Sequence, residues 1–95
     1  MKFVIFGGVL KSCTLEEGET TAVVPEGVKA IGEKAFCFKT GLVSITLPRS
    51  LTRIEREAFY YCNNLESVVI PEGVTEIGKW AFSGCSSLEL SLIHI

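Results

Sequence analysis

The spacing of the three prolines constrains this chain most. Pro25, Pro48 and Pro71 stand 23 residues apart, and the residues around them repeat with the same step. VPEGVKAIGEKAF, LPRSLTRIEREAF and IPEGVTEIGKWAF are three copies of one phrase. A fixed period of this size marks a unit that cannot bury its apolar side alone and must stack on its neighbours, as in a solenoid. Ninety-five residues with 47% hydrophobic content suit one folded domain rather than a disordered chain.

Aligning on proline sorts the sequence into columns. Val28, Leu51 and Val74 form one, Ile31, Ile54 and Ile77 the next. Ala35-Phe36, Ala58-Phe59 and Ala81-Phe82 follow, then Leu42, Leu65 and Leu88. These positions stay apolar while their neighbours change, as inward positions of stacked coils must. Each coil holds two kinds of segment. LVSITL (42–47) and LESVVI (65–70) are rich in β-branched residues and alternate, as a short strand requires. Proline ends that strand because it has no N–H to give to a ladder. Gly27, Ser50 and Gly73 supply the bend. The other segment, such as VTEIGKWAFSGC, is predicted to begin extended and to tighten into one helical turn around Lys79 to Phe82.

The pattern Pro-x-x-Val-x-x-Ile-Gly-x-x-Ala-Phe-x-x-Cys-x-x-Leu resembles the BspA-type leucine-rich repeat over about residues 20–89. FVIFGGVLKSC resembles the hairpin that often opens such arrays. Two departures stand out: Lys39 where the other coils have Cys62 and Cys85, and Glu55 where the outer coils have Gly32 and Gly78. The resemblance implies a right-handed solenoid with a parallel sheet on its concave face, and a role in interaction or adhesion at a microbial cell surface. The expected fold class is therefore α/β and β-rich. It comprises a capping hairpin over 1–19, about three 23-residue coils over 20–89, and a tail over 90–95.

Both ends of the chain carry a second reading. Lys2 and the apolar residues after it look faintly like a signal peptide, but Gly7-Gly8 interrupts the core and Lys11 replaces a small cleavage residue. A β-hairpin turning at Gly7-Gly8 fits better. At the other end, the period places Ser91 in the column of Val68 and His94 where proline belongs. LSLIHI also resembles a translated sequencing adapter, so residues 90–95 are expected to be non-native and the chain a fragment of a longer array. The alternative is a genuine last strand, and in either case the last strand is an open edge through which self-association is expected.

The chemistry-bearing residues are few. Net charge is −2, which gives no basic face for nucleic acid, and no apolar run is long enough for membrane insertion. Cys13, Cys37, Cys62 and Cys85 contain no C-x-x-C pair. Cys62 and Cys85 stack, but parallel side chains hold their β-carbons too far apart for a disulfide, and two aligned thiols are half of a four-ligand zinc site, so free buried thiols are expected. No nucleophile–base set and no phosphate loop is present, so neither an enzyme nor a cofactor is expected. Opposite charges in neighbouring coils, such as Glu26, Arg49 and Glu72, or Arg53 and Glu76, suggest interlocking ladders. Phe38, Tyr60, Tyr61 and Trp80 lie off the apolar columns and form either a sticky patch or partial cover. The outward strand positions Thr21, Val23, Ser44, Thr46, Ser67 and Val69 are the candidate binding residues, for a protein or glycan partner. The leading function is a non-enzymatic interaction or adhesion module; the alternative is a structural spacer.

Overall fold

The computed structural model describes residues 1–92, with side chains to residue 89. Among them are nine short strands and no helix. β1 (Lys2–Phe6) and β2 (Val9–Thr14) form the expected antiparallel hairpin. Gly7 and Gly8 make its turn with φ of 59° and 77°, a left-handed pair that glycine adopts without a Cβ penalty. Each repeat then adds one strand to each of two sheets. β3 (Thr21–Val23), β5 (Ser44–Thr46), β7 (Ser67–Ile70) and β9 (Glu89–Leu92) form one parallel sheet. β4 (Ala30–Ile31), β6 (Arg53–Ile54) and β8 (Glu76–Ile77) continue in parallel from β2 in the other. The 23-residue step is the register itself: Ile31 pairs with Ile54, and Ile54 with Ile77.

The columns read from the sequence form the core. Val28, Leu51, Val74, Ile31, Ile54, Leu42 and Leu65 are buried, as are Ala35, Ala58 and Ala81. Phe36 and Phe59 stack with centroids 5.0 Å apart, and Phe59 and Phe82 at 5.1 Å, all nearly parallel. The hairpin closes the first unit from above. Leu10 and Cys13 enter the core, and the Gly8 carbonyl accepts the Lys29 N–H at 2.7 Å. Gly32 lies so close to this cap that a Cβ would come 2.8 Å from the Leu10 carbonyl oxygen.

Two expectations fail. The first is the helical turn, and with it the α component of the fold class. Residues 33–38 and their counterparts are successive tight turns. Ala35, Cys37 and Lys39 donate within their own unit to Gly32, Lys34 and Phe36. The N–H groups between them, of Lys34, Phe36 and Phe38, donate to Arg56, Ala58 and Tyr60 of the next unit. The second unit repeats this with Glu57, Phe59 and Tyr61 donating to Lys79, Ala81 and Ser83. An α-helical turn would aim all its N–H groups along its own axis toward one end, and could not send every second one sideways to the neighbouring unit. The alternation is reached through left-handed residues at Lys34, Phe38, Glu57, Tyr61, Trp80 and Gly84. Only the last of these is glycine, so the sequence conceals the geometry.

The second is the register of the last strand. Leu90, not Ser91, stands opposite Val68, and Leu92 stands opposite Ile70. Because strand faces alternate every residue, a shift by one brings Leu90 and Leu92 into the columns that a strict 23-residue step would assign to Ser91 and Ile93. His94 lies outside the described residues.

Candidate binding surface

The sheet β3–β5–β7–β9 has one face in the core and one outside, which follows from strand alternation. Ala22, Ile45, Val68 and Ile70 point inward and are buried. The six candidate residues take the alternate positions. Thr21, Thr46 and Ser67 are exposed, Ser44 is half-buried, Val23 is 65% exposed and Val69 50%. Cross-strand pairing aligns Thr21 with Ser44, Ser44 with Ser67, and Val23 with Thr46. The structure thus brings all six onto one surface, a hydroxyl row beside a Val-Thr-Val row.

Two hollows flank this surface. One of about 240 Å³ is lined by Ile45, Thr46, Leu47, Arg49, Val69 and Pro71. The other, of about 590 Å³, is lined by Glu66, Ser67, Ser87 and Glu89. From sequence Arg49 is only a ladder charge; the fold sets it beside Thr46 and Val69. Its one signal was its sign, a cation in a column whose other members are Glu26 and Glu72.

The expected charge ladders between coils are not what the side chains form. Among the described residues the side-chain ion pairs are Arg53–Glu55 at 2.8 Å and Arg56–Glu57 at 3.6 Å, each within one unit. Arg53 stands opposite Glu76 in the sheet, yet reaches its own Glu55, which lies two residues on and so on the same face. Glu26 accepts the backbone N–H of Arg49 at 3.4 Å rather than its guanidinium. Arg56 and Lys79 instead lie over the Trp80 ring, at 5.1 and 4.6 Å from its centroid. A stronger inter-unit tie comes from Ser50. Its Oγ accepts the Gly27 N–H at 2.9 Å and donates to the Val28 carbonyl at 2.8 Å.

The thiols are placed as packing groups. Cys62 Sγ donates to the Phe36 carbonyl at 2.8 Å, and Cys85 Sγ to the Phe59 carbonyl at 3.0 Å. Burial pushes the Cys62 thiol up to about 12, and burial raises Cys13, Cys37 and Cys85 as well. A thiol held protonated at neutral pH is a poor nucleophile and a poor metal ligand. Phe38, Tyr60 and Tyr61 make a cluster of their own on the turn side, with centroids 4.6 to 5.7 Å apart and Phe38 61% exposed.

With this geometry in hand, the known proteins resolve the family. The family model described as "BspA type Leucine rich repeat region (6 copies)" matches residues 9–94. The chain belongs to the BspA-type leucine-rich repeat family. A leucine rich cell surface protein from Faecalibacterium prausnitzii is 38% identical over 77% of this chain, with a TM-score of 0.73. A leucine-rich repeat protein from Bacteroides ovatus matches 97% of the chain with a TM-score of 0.55 at 20% identity, which speaks to the fold alone. The BspA-type chain described here spans 19% and 39% of those two proteins. No curated protein matches it.

Proposed function

We propose that this chain is a non-enzymatic interaction or adhesion module, part of a right-handed solenoid at a bacterial cell surface. On this reading β3–β5–β7–β9 is the concave sheet, and Thr21, Val23, Ser44, Thr46, Ser67 and Val69 contact a protein or glycan. The observation that carries it is the six-residue surface. It is uncharged along its centre, exposes two valines with no packing duty, and ends in a basic hollow on one side and an acidic one on the other. A partner lying along the strands would meet apolar contact in the middle and opposite charges at its ends. The relative named as a cell surface protein supports the location. Residues 90–95 remain proposed as non-native, which a genomic read continuing past codon 95 without adapter bases would refute.

Replacing Ser44, Thr46 and Ser67 together with Lys tests the surface. Binding on protein and glycan arrays should vanish while the melting temperature holds, because all three sit outside the core. A ligand that survives the change places the site elsewhere. The spacer reading has one observation in its favour, the small share of its relatives that the chain spans. It predicts that the unaltered chain binds nothing on either array.

A further inference from the structure

The turn wall carries an aromatic group that the packing of the repeats does not require. Phe38 lies flat on Tyr61, with centroids 5.6 Å apart and 11° between planes. Tyr60 stands beside them, nearly perpendicular to both. Phe38 and Tyr61 hold φ of 60° and 56°, a left-handed conformation that glycine adopts freely and a bulky side chain does not. The third repeat has Gly84 in that column, and Ser83 in the column of Tyr60. A Cβ on Gly84 would run into the Tyr61 ring, so the ring is seated on bare backbone. We infer that this stack, with the uncharged strip beside it, binds a neutral glycan, one pyranose lying on the open face of Phe38. The site is separate from the β3–β5–β7–β9 sheet and stands whether or not that sheet binds.

Two observations select that ligand. First, the stack offers a plane and not a pocket. Rings 5.6 Å apart leave no slot for a side chain or a cation between them, and Phe38 could not be 61% exposed if its second face were covered too. A peptide anchor would need a pocket to fill. Trp80, the other exposed ring of this wall, is closed because Arg56 and Lys79 lie over it. Second, the strip that leads from the stack toward the sheet has no charge. Neither 58–65 nor 81–88 contains Asp, Glu, Lys or Arg. Their exposed members are Tyr61, Asn63, Asn64, Ser83, Ser86 and Ser87, a run of phenol, amides and hydroxyls. Asn64 Nδ2 donates to the Thr40 carbonyl at 2.6 Å, which fixes the amide. The charges that border the stack are engaged or turned in: Glu57 pairs with Arg56, and Lys39 is half-buried. A pyranose matches both parts. Its C–H face stacks on an aromatic ring, and its rim of hydroxyls bonds amides and hydroxyls. An acidic or basic ligand would find no counter-charge there.

Titration of the 95-residue protein with neutral hexasaccharides of glucose, mannose, galactose and xylose, followed by NMR of the aromatic rings, tests the inference. At least one of these sugars should shift the Phe38 and Tyr61 signals saturably. Phe38→Gly should lower that affinity about tenfold or more. It should fold, because glycine already serves this column at Gly84, and a matching melting curve checks it. Phe38→Trp should retain the binding, since Trp80 adopts φ of 62° on the same wall. Replacing Ser44, Thr46 and Ser67 together with Lys should leave it unchanged. No shift with any of these sugars overturns the proposal, as does binding indifferent to Phe38→Gly. So does tighter binding of an acidic hexagalacturonate or of a proline-rich peptide on the same rings. Loss in the triple Lys variant alone would assign the glycan to the β3–β5–β7–β9 sheet and overturn it as well.

Discussion

The second and third repeats spell nearly the same phrase yet live in different surroundings. Phe59 is sealed between Phe36 and Phe82, whereas Phe82 has a ring on one side only. Ile54 is buried and Ile77 is half in water. The letters are the same, so the difference comes entirely from the neighbour. In a stacked architecture a residue's contribution is set by its place in the stack, and identical side chains should differ severalfold in what they stabilise.

The phenylalanine column is the sharpest way to break that contrast. Phe59→Ala should cost about 3–5 kcal/mol in urea unfolding, from lost transfer energy and a closed cavity, and Phe82→Ala roughly half as much. Equal losses would mean that the third unit is as well covered as the second. The isoleucine column comes next. Ile54→Ala should cost about 2–4 kcal/mol and Ile77→Ala less than about 1 kcal/mol in the monomer. Ser50→Ala removes a hydroxyl that bonds Gly27 and Val28 across units, and should cost about 1–2 kcal/mol. The first repeat has its own Gly27 at that point, so no counterpart loss is available there.

The smallest effect is in pH. In the unfolded chain the Cys62 thiol ionises from its ordinary value near 9, but in the folded chain not until about 12. Between those values the unfolded state holds fewer protons, so stability falls as pH rises through that window. Cys62→Ala should flatten the alkaline decline in melting temperature more than Cys85→Ala, whose thiol is only half-buried. The reverse order would contradict the burial contrast between the two units.

Much of this fold was legible because the sequence writes it three times. The proline step gave the register, and the apolar columns gave the core, down to Phe36 on Phe59 on Phe82. The hairpin was legible from Gly7-Gly8 for a local reason, since two adjacent glycines between apolar runs have few other uses. The turn wall was not. Lys34, Glu57 and Trp80 carry no preference for the left-handed region, so a helical turn was the natural reading of GKWAF. The ion pairs were missed for another reason. Period predicts which residues are stacked, but Arg53 has both Glu76 across the sheet and Glu55 along its own strand, and only side-chain geometry chooses. The last strand shows the period overruled by strand alternation, with a one-residue slip that sets Leu90 rather than Ser91 opposite Val68. The six surface residues were legible as outward positions, but Arg49 beside them was not, because a repeat column says nothing about hollows.

The turn wall has one more consequence. Lys34, Phe36 and Phe38 all send their N–H groups down to the second unit, and Glu57, Phe59 and Tyr61 send theirs down to the third. None of these bonds runs the other way. The peptide dipoles along this wall therefore add rather than cancel, much as they do along a helix axis, except that here the axis runs from layer to layer. The wall has a positive pole where the Trp80, Phe82 and Gly84 positions face out of the third repeat, and a negative pole toward the hairpin. The polarity belongs to this wall alone, because elsewhere inter-unit bonds such as Gly32 to Leu10, Glu55 to Ile31 and Gly78 to Ile54 donate toward the hairpin. One side of a nearly neutral protein thus carries an electrical direction that no count of its charged side chains would reveal.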